Sequence, residues 1–225
     1  MLPNQPKPAT GPVASIPAPP EAMDSERQRA RAMEPLESPE LAETLALAFR
    51  DNPLNRAAIR GSARRRMRSN RSGMRATLVA AEGQAMILVP GTSAGPGLGG
   101  LIAMAPGVWP LPPPPVFEQV RYLFGQSIGS LRRWARADSV LAGLHPAAPH
   151  WYLHLLGVSP EARGRGVGAG LLETWLEEVD REGGSAYLET DRQENLSFYG
   201  RVGFEVVGSE EILGTPIWLM ARPTR

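Results

Sequence analysis

The chain has 225 residues, 42% of them hydrophobic, and a formal net charge of +1. This length fits one domain, or one domain with a tail, and the near-zero charge favours neither a nucleic-acid-binding protein nor an acidic tail. The absence of cysteine excludes disulfides, thiolate nucleophiles and cysteine-ligated metals, and the three histidines lack a zinc-binding spacing, so we expect no metal.

Amino-acid usage and hydropathy also indicate where the protein works. Lys7 is the only lysine among 24 basic residues, an arginine bias typical of a GC-rich bacterial genome. No apolar run reaches the roughly 18 residues that a membrane span needs. The first residues lack the basic start and apolar stretch of a signal peptide. We therefore expect a cytoplasmic bacterial protein with no membrane partner.

The N-terminal segment is rich in proline. "MLPNQPKPATGPVASIPAPP" holds seven prolines and has no apolar periodicity, so residues 1–35 are predicted to form an unstructured tail. Met23 and Met33 are alternative start positions. The folded domain is expected to span residues 36–225.

Two helices are predicted next. In "SPELAETLALAFRDNP", Ser38 fits an N-cap, Pro39 the first helical position and Pro53 a stop beyond the end. A basic helix is predicted over "LNRAAIRGSARRRMRSN". Its arginines could contact phosphate or nucleic acid, but the lack of interleaved aromatic residues favours a solvated face.

The middle of the chain gives weaker signals. "ATLVAAEG" and "AMILVPG" are predicted to pair as a β-hairpin, and "LIAMAPG" to form a further strand. "GTSAGPGLGG" is predicted to be a loop; it lacks the lysine and Ser/Thr of a P-loop. "PLPPPP" cannot be a central strand. Residues 116–144 have helical spacing of apolar residues.

The C-terminal third has the clearest pattern. A buried strand, "HWYLHLLGV", is followed by an amphipathic helix, "GVGAGLLETWLEEVDREGG", and a strand, "SAYLET". A short helix, "ENLSFYGRV", and two strands, "GFEVVGS" and "TPIWLMA", complete the order, which predicts an α/β (α+β) fold.

Glycines cluster where the first of these strands meets its helix. Such a junction leaves unpaired backbone N–H groups at a helix N-terminus, where the helix dipole favours an anion, most often phosphate. Gly164, Gly166 and Gly168 would let a phosphate approach the backbone, and Arg163 and Arg165 would add positive charge. A dinucleotide-binding loop is the alternative, but it would need a different glycine spacing near the first strand.

Two motifs resemble those of the GCN5-related N-acetyltransferase (GNAT) superfamily. "RGRGVG" at Arg163–Gly168 is similar to its Q/R-x-x-G-x-G/A signature, and "NLSFYGRVGF" at Asn195–Phe204 is similar to its second motif. The likeness covers about residues 150–222, and this third of the chain is also similar to the puromycin N-acetyltransferases. The resemblance implies a mixed, largely antiparallel central sheet flanked by helices.

The resemblance also implies roles for individual residues. The loop amides would cradle the pyrophosphate of acetyl-CoA, the strand ending in "LLGV" would pair with its pantetheine arm, and an amide near Val158 would bond the thioester oxygen. Tyr199 would protonate the leaving thiolate. The implied cofactor-binding set is Leu156, Val158, Arg163, Gly164, Arg165, Gly166, Val167, Gly168, Ala169, Asn195 and Tyr199.

The general base has more than one candidate. Glu189 lies near the end of the strand "SAYLET", close to where an acceptor would enter. His154 has a suitable ordinary pKa of about 6.5 and shares a strand face with Leu156 and Val158. A water molecule or another group is the third possibility.

The function implied is an acetyl-CoA-dependent N-acetyltransferase in which a small amine attacks the thioester directly in a ternary complex, without a covalent enzyme intermediate. The partners expected are acetyl-CoA and the amine, with no nucleic acid, in a monomer or homodimer. Two alternatives stay open: a non-catalytic acyl-CoA-binding or sensory module, and a nucleic-acid-binding protein that uses the basic helix.

Overall fold

The computed structural model describes residues 29–225, and over this range the chain forms one seven-stranded sheet. In space the strands lie in the order β1-β2-β3-β4-β5-β7-β6. The strands are β1 (Ala30–Ala32), β2 (Met86–Pro90), β3 (Gly99–Met104), β4 (Trp151–Val158), β5 (Ala186–Thr190), β6 (Glu205–Ile212) and β7 (Thr215–Arg222).

Eight helices of this described range flank the sheet. They are α1 (Ser38–Phe49), α2 (Pro53–Ala58), α3 (Ala63–Ala81), α4 (Gly95–Leu98), α5 (Val116–Gly125), α6 (Ile128–Leu144), α7 (Val167–Arg181) and α8 (Glu194–Gly200). None of the helices in residues 29–225 is long and apolar enough to cross a membrane. The fold class is as predicted, a mixed sheet with helices around it.

The sheet is antiparallel except between β4 and β5. These two strands are parallel and pair only from Trp151 to Leu153 on β4, opposite Ala186 to Leu188 on β5. Beyond Leu153, β4 stays paired with β3 on its other side as far as Val158. The edge of β4 that faces β5 is therefore open over its second half, and the two strands form a gap in the middle of the sheet.

Helix α7 packs against the sheet on one side through the apolar face that its sequence predicts. Leu171, Trp175 and Val179 are fully buried in the main core cluster, which matches the three- and four-residue spacing of these positions. Helix α1 packs through Leu41 and Leu45 in a second cluster. The sheet is covered on both sides, as the predicted pattern of elements requires.

The close approach of α1 to the sheet depends on a glycine in β4. A Cβ atom at Gly157 would lie 2.6 Å from Leu45 Cδ2 and 2.9 Å from Phe49 Cε2. Both distances are too short for real contacts, so a larger residue would push the helix away. The glycine that precedes the open end of β4 thus fixes where α1 lies.

One predicted strand is wrong. "ATLVAAEG" forms the last turns of α3, so no hairpin joins it to β2. This segment is helical despite its strand-like composition, because Leu78 is buried against α1. The helix ends before Gly83, whose φ of +70° suits a position just past a helix.

The basic segment forms two helices and not one. Gly61 has φ of +116°, which interrupts the helix. Ser62 then caps α3 by accepting a hydrogen bond from Arg65 N at 3.3 Å. The predicted loop "GTSAGPGLGG" also contains a short helix, α4, and the beginning of β3. The other predicted strands and helices are confirmed, with the helical region 116–144 divided into α5 and α6.

The folded part begins earlier than residue 36. Ala30–Ala32 pairs antiparallel with β2 as an edge strand, and Met33 N donates to Ile87 O at 2.9 Å. Arg31 also holds Glu37 through two hydrogen bonds, the longer at 2.8 Å. The expected tail is thus wrong for residues 29–35, because backbone pairing with β2 and the contact of Arg31 with Glu37 hold this segment to the fold. The rest of that prediction, residues 1–28, lies outside the described residues.

Candidate active site

A cavity of about 1120 Å³ opens at the gap between β4 and β5. One side is formed by β4, the glycine loop, the end of β5 and α8, and the other by α1, α3, α5 and α6. Arg165 is not among the lining residues. The cavity brings together Leu156, Val158, Arg163, Gly164, Gly166, Val167, Gly168, Ala169, Glu189, Asn195 and Tyr199.

The glycine loop presents backbone donors to this cavity. Gly166 is the N-cap of α7 with φ of +80°, and no side chain caps the helix. The first hydrogen bond of the helix runs from Gly170 N to Gly166 O at 3.0 Å, so the amides of Val167, Gly168 and Ala169 precede it. These donors lie at the positive end of a 15-residue helix, which is the local structure that binds phosphate groups.

Space in front of the loop is open. A Cβ atom at Gly164 would have no atom within 4 Å. Arg163 lines the same space, and its Nη2 donates to Ala48 O at 3.1 Å near the C-terminal end of α1. The residues present therefore fit a pyrophosphate group, with Arg163 fixed to α1 beside it.

Glu189 lies at the end of β5 and lines the cavity. Tyr152, on the neighbouring strand β4, donates a hydrogen bond from its hydroxyl to Glu189 Oε2 at 2.8 Å. Burial raises the pKa of Glu189 to about 7, and this hydrogen bond opposes part of that shift. A carboxyl group with this pKa can both accept and release a proton near neutral pH.

His154 also lines the cavity, on the same strand as Tyr152. Burial lowers its pKa to about 4, and its Nδ1 is buried without a hydrogen-bond partner among the described residues. The imidazole is therefore neutral at pH 7 and a weaker base than Glu189. Of the two candidates weighed from the sequence, the geometry and the pKa values favour Glu189.

Tyr199 lies on α8, with 7% of its surface exposed, and lines the cavity. Burial, with a contribution from the charge of Asp191, raises the pKa of its phenol above the ordinary value. The phenol thus keeps its proton at neutral pH. Asn195 lines the cavity one turn earlier on α8, and its Nδ2 donates to Thr190 Oγ1 at 3.0 Å, so it also joins α8 to β5.

Asp191, immediately after β5, is a residue that the sequence did not single out. Its carboxylate accepts hydrogen bonds from Leu54 N at 2.9 Å and Asn52 Nδ2 at 3.4 Å. Asp191 therefore caps α2 from a distant part of the chain and holds the N-terminal helices against the end of β5. Burial raises its pKa.

Tyr152 and the wall opposite the glycine loop were also missed. This wall includes Tyr122 and Trp134, together with Asp138, whose pKa burial raises. The alternation of β4 put Tyr152 on one face with His154, which was a usable signal for the tyrosine. The helical wall carries no motif, so the sequence had no signal for it. Across residues 29–225, no three His, Asp or Glu side chains group in a way that could hold a metal ion.

Comparison with known proteins agrees with this geometry. Residues 112–204 match the model of the Acetyltransferase (GNAT) family. A structure described as histone acetyltransferase HPA2 and related acetyltransferase from Corynebacterium glutamicum is 22% identical with a TM-score of 0.68, covering 88% of this chain and 96% of that one.

Two further structures are similar. Arylalkylamine N-acetyltransferase 2 from Aedes aegypti is 13% identical with a TM-score of 0.55, over 88% of this chain and 99% of that one. PaiA N-acetyltransferase from Thermoplasma acidophilum, in complex with coenzyme A, is 15% identical with a TM-score of 0.51, over 87% and 98%. At these identities the structures show the fold, and with the family match they confirm the resemblance read from the two motifs. The nearer likeness to puromycin N-acetyltransferase stays a prediction.

Proposed function

Because residues 112–204 match the model of the Acetyltransferase (GNAT) family and the chain shares the fold of known acetyltransferases, we propose that it transfers the acetyl group of acetyl-CoA to the amine of a small acceptor in the cytoplasm. The observation that carries the proposal is the gap between β4 and β5. It opens beside the glycine loop into one cavity that also holds Glu189 and Tyr199.

Acetyl-CoA would supply the acetyl thioester. The amides of Val167, Gly168 and Ala169 would bind its pyrophosphate, with Arg163 beside them. The open edge of β4, from Leu156 to Val158, offers backbone groups that β5 leaves unpaired, and an extended amide-containing chain can bond such an edge as an added strand.

Proton transfer would be divided between two residues. The Glu189 carboxylate takes a proton from the acceptor nitrogen as the new N–C bond forms. The Tyr199 hydroxyl gives its proton to the sulfur as the C–S bond breaks. Bringing both reactants into one cavity reduces the entropic cost of their encounter.

The acidic side chains in the cavity support an amine as the acceptor. Asp138, Glu189 and Asp191 all line it, and burial raises the pKa of each carboxyl group. Since burial disfavours their ionised forms, a nearby ammonium group would restore them. A cationic amine therefore gains more from this cavity than a neutral alcohol would.

The experiment is a panel of amines incubated with the purified protein and acetyl-CoA, with release of the CoA thiol as the readout. Turnover with at least one amine is expected, and a protein that binds acetyl-CoA but releases no thiol with any amine is the non-catalytic alternative. Binding is measured separately by thermal stability, since a ligand present at a hundredfold excess over its Kd stabilises the folded state by about 2.7 kcal/mol.

The glycine loop offers a matched pair of variants for that measurement. Gly164 has φ of +75° and Gly107 has φ of +83°, and a Cβ atom at either would have no atom within 4 Å. Gly164→Val and Gly107→Val thus impose similar backbone strain, but only the first places a side chain in the pyrophosphate space. Stabilisation by acetyl-CoA should be lost in Gly164→Val and kept in Gly107→Val; equal stabilisation in both would contradict the assignment of the loop.

A further inference from the structure

A second cavity, of about 490 Å³, lies at the N-terminal end of α3. We call it the arginine cleft. It is separate from the glycine loop and from the residues assigned to proton transfer. Its lining residues are Ser62, Arg64, Arg65, Arg68, Ser69, Phe124, Gly125, Gln126 and Ser127.

The arginines of α3 fall into two sets. Arg66, Arg71 and Arg75 form ion pairs with Asp51, Glu43 and Glu118. Arg64, Arg65 and Arg68 line the arginine cleft, and within residues 29–225 none of these three is paired with a carboxylate. The cleft contains no acidic residue. The arginines of α3 that have no carboxylate partner among the described residues therefore all line the arginine cleft.

Neighbouring groups add to this positive potential. The pKa of Arg133 is lowered mainly by burial and also by the positive charges of Arg60 and Arg65. The cleft also contains Ser62 and Ser127, the N-caps of α3 and α6. Two long helices thus begin at the cleft and direct the positive ends of their dipoles to it. An anion there would meet guanidinium groups that can donate two parallel hydrogen bonds.

The arginine cleft adjoins the cavity of the active site. Ser69 and Gln126 line both spaces. They are joined by a short hydrogen bond between Ser69 Oγ and Gln126 Oε1 and by one from Gln126 Nε2 to Ser69 O at 2.9 Å. Arg65 lies one helical turn from Ser69, which is about 6 Å along the axis of α3. A molecule bound in the cavity could reach the arginines with a short chain.

We propose that the arginine cleft binds an anionic group, a phosphate or a carboxylate, at the far end of the acceptor. This inference rests on the proposed function and specifies its substrate class: an amine whose other end is negatively charged. The amine would lie near the carboxyl groups of the main cavity, and the anion would lie among Arg64, Arg65 and Arg68. The buried carboxyl groups of the main cavity and the arginines of the cleft are complementary to the two ends of such a molecule.

The first test measures binding of inorganic phosphate to the full chain by calorimetry, with CoA present so that the glycine loop is occupied. The double variant Arg65→Gln/Arg68→Gln removes two cleft arginines, and Arg71→Gln, on the same helix but paired with Glu43, is the control. We expect phosphate affinity to fall at least about tenfold, or 1.4 kcal/mol, in the double variant only. Phosphate binding that is absent from the native chain, or unchanged in the double variant, would overturn the proposal.

The second test compares acceptors. Linear aminoalkyl phosphates and aminoalkanoates of increasing length are assayed beside the neutral alkylamine of each length. The native enzyme should prefer an anionic acceptor in kcat/KM by about tenfold or more. The double variant should lose that preference and keep its rate with the neutral amine. The phosphate and carboxylate series show which anion the cleft prefers.

Other outcomes are also decisive. Equal kcat/KM for charged and neutral acceptors would refute the inference while leaving the proposed function intact. If no amine of any kind accepts the acetyl group, the proposed function fails, and phosphate binding alone decides whether the cleft is an anion site. Binding of a short DNA or RNA duplex that is lost in the double variant, without any preference among acceptors, would assign the arginines to nucleic acid and overturn the proposal.

Discussion

Replacing Tyr152 by phenylalanine tests the assignment of the general base without touching the carboxylate itself. Tyr152 donates its hydroxyl hydrogen to Glu189 Oε2 at 2.8 Å. The bond stabilises the ionised form of Glu189 and so lowers its pKa against the larger effect of burial, which brings the pKa to about 7. Tyr152→Phe keeps the ring in the core and removes only the donor.

The expected size of the effect follows from the strength of this bond. A hydrogen bond to a charged group contributes about 1.5–3 kcal/mol, and one pKa unit corresponds to about 1.4 kcal/mol. The protonated carboxyl group keeps part of the interaction, so we expect the pKa of Glu189 to rise by about one unit. A base is active when it is ionised, so the rate falls as pH decreases through the pKa. The lower limb of the pH–rate profile should therefore move to higher pH.

The assay is kcat/KM for thiol release as a function of pH, with one amine and saturating acetyl-CoA. The native enzyme should lose activity below about pH 7, and Tyr152→Phe about one unit higher. Glu189→Gln should lose that limb along with most of its rate.

Tyr122→Phe provides a control, because Tyr122 lines the same cavity but lies near Asp138 and not Glu189: burial, with a smaller contribution from the charge of Asp138, raises the pKa of its phenol. Its profile should stay in place. A limb that does not move in Tyr152→Phe, or that survives in Glu189→Gln, would refute Glu189 as the base.

Three further predictions concern other parts of the molecule. Tyr199→Phe should lower kcat by about 10²–10⁴-fold with acetyl-CoA affinity nearly unchanged in calorimetry, because only the proton donor is lost; normal turnover would exclude Tyr199 as the acid. Asp180→Ala leaves Arg222, which is 2% exposed, without the carboxylate that it holds at 2.6 Å and 2.8 Å. The cost should be about 2 kcal/mol because Asp180 is partly exposed, and the melting temperature should fall by roughly 4–8 °C; Glu178→Ala, which loses only an exposed pair, should melt normally. Deleting residues 1–28 should leave thermal stability unchanged, whereas deletion through residue 35 should lower it by removing β1; equal melting temperatures for both truncations would contradict this.

The sequence predicted the C-terminal half of the fold well because local signals and tertiary packing agree there. The apolar face predicted for α7 and the strand predicted for β4 are confirmed, and a glycine of the predicted junction, Gly166, is the N-cap of α7. In residues 54–83 the signals conflict. "ATLVAA" has the composition of a strand, but it follows a helix without an interruption and buries Leu78 against α1, which no local pattern reveals.

The candidate site likewise has one part that the sequence predicted and another that it did not. The side that would bind acetyl-CoA comes from one continuous stretch, in which each glycine and the N-cap of α7 have a local geometric role. Other contacts of the candidate site join distant parts of the chain. Tyr152 on β4 bonds Glu189 on the neighbouring strand β5, and Asp191 accepts a hydrogen bond from the first turn of α2. The part of the lining that we propose for the acceptor comes from α3, α5 and α6, whose relative positions depend on packing. For this reason the sequence motifs could predict a reaction type, whereas the proposal for the acceptor needed the structure.

Helix α1 connects the two sides of the cavity. Its middle is pressed against β4 at Gly157, where no side chain larger than hydrogen fits. Near its C-terminal end, the carbonyl of Ala48 accepts a hydrogen bond from Arg163 of the glycine loop. The chain then turns into α2, which Asp191 caps from the end of β5. A displacement of α1 would thus move the arginine beside the pyrophosphate space and the wall that faces the acceptor together. The glycine in β4 is required for more than packing, because it sets the position of a helix that lines the cavity proposed to hold both reactants.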